Sequence, residues 1–61
     1  MSAREIRSWA YRLNQAAGWD ASAHQYEFWA ASWGFDPHIA RRLAEEAVAM
    51  QPADELEGVL A

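Results

Sequence analysis

The sequence predicts an all-α protein, a compact bundle of three main helices followed by a short C-terminal fourth helix. Apolar residues recur at spacings of three and four along successive segments, the pattern of helices with one buried face. Capping residues open these segments, and glycine or proline separates them. No segment alternates apolar and polar residues as a strand does. We expect one domain over residues 1–61, with helices at about 3–17, 21–33, 37–50 and 53–60.

The first predicted helix begins at a capping box. Ser2 and Glu5 have the spacing in which the serine oxygen accepts from the N3 amide and the glutamate reaches back to the cap amide. Gly18 stops this helix. At about 100° per residue, one face holds the expected core residues Ile6, Trp9, Ala10, Leu13 and Ala17.

The second predicted helix has two candidate caps. Ser22 with Gln25 makes a second capping box, whereas Asp20 would start the helix two residues earlier. Phe28 points away from the apolar stripe of this helix, which therefore has apolar residues on more than one side. The stripe consists of Ala23, Tyr26, Trp29, Ala30 and Trp33.

A sharp corner joins the second and third helices. Gly34 suits the position just past a helix end, where φ is positive. Asp36 and Pro37 then form a helix start, because aspartate caps free N–H groups and proline fits the first helical position. The corner is short, so the two helices must pack on each other. We expect the wedge between them to be filled by Trp29, Trp33, Phe35 and Ile39.

The third helix is expected to be central, because its wide apolar face suits contact with two neighbours. That face consists of Ile39, Ala40, Leu43, Ala44, Ala47 and Met50. Pro52 ends this helix and starts the short fourth one. The apolar edge of the fourth helix would be Leu56, Val59 and Leu60.

Composition narrows the class of protein. The chain has 61 residues, no cysteine and a net charge of −4. No apolar run approaches the roughly 18 residues of a membrane span, and the N-terminus lacks the apolar stretch of a signal peptide. We therefore expect a soluble, cytoplasmic protein without membrane partners. Residues 43–61 hold five acids and no base, which disfavours nonspecific nucleic-acid binding and favours a partner with a basic surface.

Catalytic and cofactor motifs are absent from the sequence. It has no cysteine nucleophile and no glycine-rich phosphate loop, and a chain this small has little room for a cleft. Asp20, His24 and Glu27 fall at i, i+4 and i+7, but a metal site needs three or four converging ligands. We expect no enzymatic activity, no cofactor and no metal.

Residues 26–46 resemble a helix-turn-helix motif. Ala30 matches the small residue where the two helices cross, and Gly34 matches the turn glycine. The resemblance implies a DNA-binding regulator in which His38, Arg41 and Arg42 face the major groove. The sequence departs from the motif in two ways. The apolar residues of the second helix are offset by about one position, and Glu45 and Glu46 would lie where the DNA phosphates come close.

The corner Trp33-Gly34-Phe35 is also similar to the Met-Gly-Phe loop of ubiquitin-associated domains, which are three-helix bundles. Tryptophan replaces the methionine here, and no residue roles are carried over from that family.

Protein binding is the function that the sequence favours. Trp19 and Phe28 lie off the stripes that build the core, so they are candidate aromatic anchors. The remaining candidate contact residues are the acids Glu45, Glu46, Asp54, Glu55 and Glu57. We expect an inhibitor, adaptor or regulatory protein, a class that includes small acidic phage inhibitors such as anti-CRISPR proteins. Phe28 would also be the contact residue of a homodimer.

Overall fold

The computed structural model describes residues 1–52, which form three helices without a strand. Helix α1 spans Ala3–Ala17, α2 spans Ala23–Ser32 and α3 spans Pro37–Ala49. The all-helical prediction is confirmed for this part of the chain. The predicted fourth helix, at 53–60, lies outside the described residues.

Each helix starts where a side chain can replace the missing helical acceptor. Ser2 caps α1 and Ser22 caps α2, both as complete capping boxes. The second box places the start of α2 at Ala23, so Ser22 rather than Asp20 is the cap. Asp36 caps α3 by accepting from the backbone N–H of Ile39 at 3.0 Å, with Pro37 in the first turn.

The corner between α2 and α3 is a Schellman motif. The N–H of Gly34 donates to the carbonyl of Ala31 at 3.0 Å, and the N–H of Phe35 donates to that of Ala30 at 3.2 Å. Gly34 has φ +100°, which L side chains rarely adopt. The predicted role of this glycine is therefore confirmed.

Helix α3 packs against both other helices, as predicted, and α1 and α2 contact each other less. The core is made mainly of small and medium side chains. Its buried apolar members are Ile6, Ala10, Leu13, Tyr26, Ala30, Ala40, Leu43, Ala44 and Ala47. Alanine at so many contact positions lets the helix backbones come close together.

The expected filling of the α2–α3 wedge is wrong for two tryptophans. Trp29 and Trp33 each keep 37% of their surface exposed, whereas Phe35 and Ile39 pack partly buried against the core. The buried contact positions of α2 and α3 are occupied mainly by alanine, which favours a close approach of the helices and leaves little room for large rings between them. The rings therefore lie at the edge of the core.

A polar network joins the C-terminal ends of α1 and α3 to α2. The buried Asn14 amide donates to the carbonyl of Ala47 at 3.0 Å, and its oxygen accepts from the Tyr26 hydroxyl. Gln51 donates to the Tyr26 oxygen at 2.9 Å and to the carbonyl of Ala21 at 2.7 Å. No buried side-chain polar atom among residues 1–52 lacks a partner, as expected for a native interior.

Candidate functional site

An open groove between α1 and α2 is floored by aromatic rings. We call it the tryptophan groove, and it is lined by Trp9, Arg12, Gln15, Ala16 and Trp33. The Trp9 and Trp33 ring centroids are 6.0 Å apart, and Trp29 lies a further 6.1 Å from Trp33. Three indoles thus form a continuous row at the edge of the core.

Arg12 covers one end of this row. Its guanidinium carbon lies 4.8 Å from the centroid of the Trp9 ring, within cation–π range. Trp9 in turn packs edge-on against Phe35, at 5.0 Å between centroids, so the ring under Arg12 is fixed to the core. The arginine is thereby held with its N–H groups at the surface.

Phe28 lies at a second groove. Its side chain is 73% exposed, the highest value among the large apolar residues described. This surface, the Phe28 groove, is lined by His24, Glu27, Phe28, Ala31, Phe35, Pro37 and Ala40. The prediction that Phe28 points away from the core agrees with its position. Its role as an anchor stays a prediction.

Trp19, the other predicted anchor, is less exposed than Phe28. It is 38% exposed, and its ring packs edge-on against Tyr11 with 5.4 Å between centroids. Tyr11 lies midway along α1, two residues after Trp9, and Trp19 follows the end of that helix. At about 100° per residue Tyr11 and Trp9 project about 200° apart, but Gln15 of the tryptophan groove projects only about 40° from Tyr11. Trp19 therefore lies away from the Trp9 ring without being remote from the groove.

The predicted acidic contact residues are only partly described. Glu45 is exposed and Glu46 is half-buried on α3. Asp54, Glu55 and Glu57 lie outside the described residues. Within residues 1–52, the acids and the five arginines nearly balance in number.

The residues of the helix-turn-helix alternative lie near the start of α3. His38, Arg41 and Arg42 are all exposed. Arg41 Nε lies 4.0 Å from Glu27 Oε1, so a carboxylate adjoins one of the two arginines that would meet DNA. Glu45 is exposed one turn after Arg41. This face therefore mixes both signs of charge.

The titratable side chains among the described residues do not form a metal centre. No group of three or more histidine, aspartate or glutamate side chains converges in residues 1–52. Asp20 precedes α2 and is not on the helix that carries His24 and Glu27. The Ser2 backbone N–H, and then the Ser2 hydroxyl, lower the pKa of the Glu5 carboxyl. That effect belongs to the helix cap.

Two features of these surfaces were not predicted from the sequence. The stacking of Arg12 on Trp9 has a signal in the sequence, because the two residues are spaced i, i+3 on one helix. The exposure of Trp29 and Trp33 has none, since their periodicity is that of core residues.

No helix among the described residues has the length and apolar character to cross a membrane. Searches of protein-family models, curated proteins and solved structures found no match to this chain.

Proposed function

We propose that this chain is a protein-binding module that acts as an inhibitor, adaptor or regulatory protein, with Phe28 as its main anchor. The supporting observation is the 73% exposure of Phe28, which lines a groove whose other residues are mostly apolar. A phenylalanine in water forgoes about 2 kcal/mol of burial that a partner pocket would supply. Interfaces derive most of their energy from a few such buried side chains.

Charge supports a partner with a basic surface. The net charge is −4, and five of the nine acids fall in residues 43–61 without a base. Such a charge attracts a basic surface before contact and raises the association rate. In this proposal the acids set the rate of association, and Phe28 sets the rate of dissociation. Trp19 is a weaker second anchor, because part of its ring already contacts Tyr11.

The test begins with a partner isolated from the native host and continues with purified proteins. Surface plasmon resonance compares the wild type with Phe28→Ala and with a matched control, Val48→Ala, which removes another exposed apolar side chain. We expect Phe28→Ala to speed dissociation at least about tenfold, the loss of one anchor. Unchanged dissociation, with the fold intact by circular dichroism, would remove Phe28 from the interface.

The acids are tested by the charge reversals Glu45→Lys and Glu46→Lys. Slower association and a weaker dependence on salt are expected. An unchanged association rate and an unchanged salt dependence would remove Glu45 and Glu46 from the interaction.

A homodimer is the alternative use of Phe28. Sedimentation over a concentration series distinguishes the two uses, because a homodimer dissociates on dilution and Phe28→Ser would abolish it. A monomer at all concentrations leaves the surface available to a different protein.

DNA binding by the helix-turn-helix segment is the second candidate function. The buried Ala30 and the positive φ of Gly34 favour it, because they match the crossing residue and the turn glycine of the motif. A DNA-binding protein of this kind should bind duplex DNA and lose affinity steeply as salt rises. The double variant Arg41→Ala, Arg42→Ala should abolish that binding, whereas Phe28→Ala should not.

A further inference from the structure

We propose that the tryptophan groove is a second binding surface, which accepts a partner peptide carrying a carboxylate between apolar side chains. The proposal does not depend on Phe28, because the two grooves share none of their lining residues. They adjoin where Phe35 of the Phe28 groove packs against Trp9. It depends instead on Arg12, Trp9 and Trp33.

The apolar part of the ligand is indicated by the row of indoles. Trp9, which is half-buried, and Trp33, which is 37% exposed, both line the groove. Trp29, also 37% exposed, extends the row from Trp33. Indole faces offer large, rigid contact area, and tryptophan is enriched among the residues that dominate binding energy. Leucine-sized side chains fit against such a surface.

The carboxylate is indicated by Arg12. Among residues 1–52 it is the only charged residue that lines the groove, and no carboxylate of that part of the chain lies within 4.0 Å of it. Arg12 is exposed with its guanidinium carbon over the Trp9 ring, and a guanidinium can form paired hydrogen bonds to a carboxylate. Gln15 adds an amide donor on the same wall.

A peptide carboxylate is favoured over nucleic acid. Tryptophan and arginine also stack on bases, but single-strand binding relies on a positively charged groove that follows several phosphates. Here a single arginine lines the groove of a chain with net charge −4. One carboxylate matches one guanidinium, whereas a phosphate chain would be repelled by the rest of the molecule.

The test uses a capped Leu-Asp-Leu peptide, which carries one carboxylate between two apolar side chains, titrated into the full chain. NMR follows the indole N–H resonances of the four tryptophans, which report on each ring separately. We expect Trp9 and Trp33, which line the groove, to shift more than Trp19, which does not line it. The same peptide with asparagine in place of aspartate should bind about tenfold more weakly, as should the aspartate peptide with Arg12→Gln.

Arg42→Gln is the matched control, because it removes an exposed arginine outside the groove. It should leave the affinity unchanged. Equal binding of the asparagine peptide, or equal losses in Arg12→Gln and Arg42→Gln, would overturn the proposal. So would the absence of any shift up to about 1 mM peptide.

Other occupants give different results, and each of them overturns the proposal. Displacement of the peptide by an equal concentration of oligothymidine would assign the groove to nucleic acid. Dilution that moves the Trp9 and Trp33 resonances without peptide would assign it to a second copy. Movement of these resonances in the double variant Glu55→Gln, Glu57→Gln, again without peptide, would assign it to this chain's own acids. Loss of peptide binding in Phe28→Ala would place the peptide on the Phe28 groove instead.

Discussion

Asn14 and Tyr26 meet between the three helices, near the C-terminal ends of α1 and α3, where the tyrosine hydroxyl donates to the amide oxygen of the asparagine. Both side chains are completely buried, although the two residues belong to different helices. The Asn14 amide also donates to the carbonyl of Ala47 on α3. One side-chain pair thus links all three helices, and its geometry fixes how α1 and α3 lie along each other.

Tyr26→Phe should destabilise the fold by about 1–3 kcal/mol, because it leaves the buried oxygen of Asn14 without its donor. In a domain of this size each kcal/mol lowers the melting temperature by about 4–8 °C. Tyr11→Phe is the matched control, since Tyr11 is 46% exposed. Thermal denaturation followed by circular dichroism checks both. Equal, small effects would mean that the hydrogen bond contributes little net stability.

Gly34→Val should cost about 1–3 kcal/mol through backbone strain alone. A Cβ at this position would meet no atom within 4 Å, so steric clash plays no part, and the cost arises from φ +100°. Gly34→Asn should cost less, because asparagine tolerates the left-handed region better. Urea unfolding measures both variants. A valine variant as stable as the wild type would contradict the Schellman geometry of the corner.

Glu5 should make stability depend on pH at the acid end. Its pKa in the fold is lowered by the Ser2 backbone N–H and then by the Ser2 hydroxyl. The stabilisation is therefore complete above the unfolded value of about 4.3 and is lost as pH falls through the lower folded value. Glu5→Gln keeps the capping box without the titration. The melting temperatures of wild type and variant should differ at neutral pH and converge in acid. A constant difference between them would exclude this effect.

The sequence predicted the helix starts well because caps are local signals. The caps Ser2, Ser22 and Asp36 each contact an amide three residues away, so no tertiary information is needed. The positive φ of Gly34 could also be predicted, because it is a property of the local backbone at a helix end. The choice between Asp20 and Ser22 was open in the sequence, and the structure resolves it in favour of the complete capping box.

The edge of the core could not be predicted in the same way. Periodicity tells which residues share a face, but the depth of each one depends on how closely the neighbouring helix approaches. Alanines at 10, 30, 40, 44 and 47 allow a close approach, and that displaces Trp29 and Trp33 toward solvent. Asn14 differs in the opposite direction, because it is buried although its polarity favours the surface. Its burial can be predicted only when its hydrogen-bond partners are known.

The aromatic residues should separate into two classes by their effect on stability. Trp9 is half-buried and its ring contacts both Trp33 and Phe35, so Trp9→Ala should cost about 2–4 kcal/mol, somewhat less than for a fully buried tryptophan. Phe28 is 73% exposed, so Phe28→Ala should change stability by less than about 0.5 kcal/mol. Guanidinium unfolding of the two variants gives both values. If Phe28→Ala is as stable as the wild type, weaker binding of a partner by this variant is caused by the lost surface contact and not by unfolding. A destabilisation of about 2 kcal/mol or more in Phe28→Ala, at a concentration where the chain is monomeric, would show that Phe28 belongs to the core.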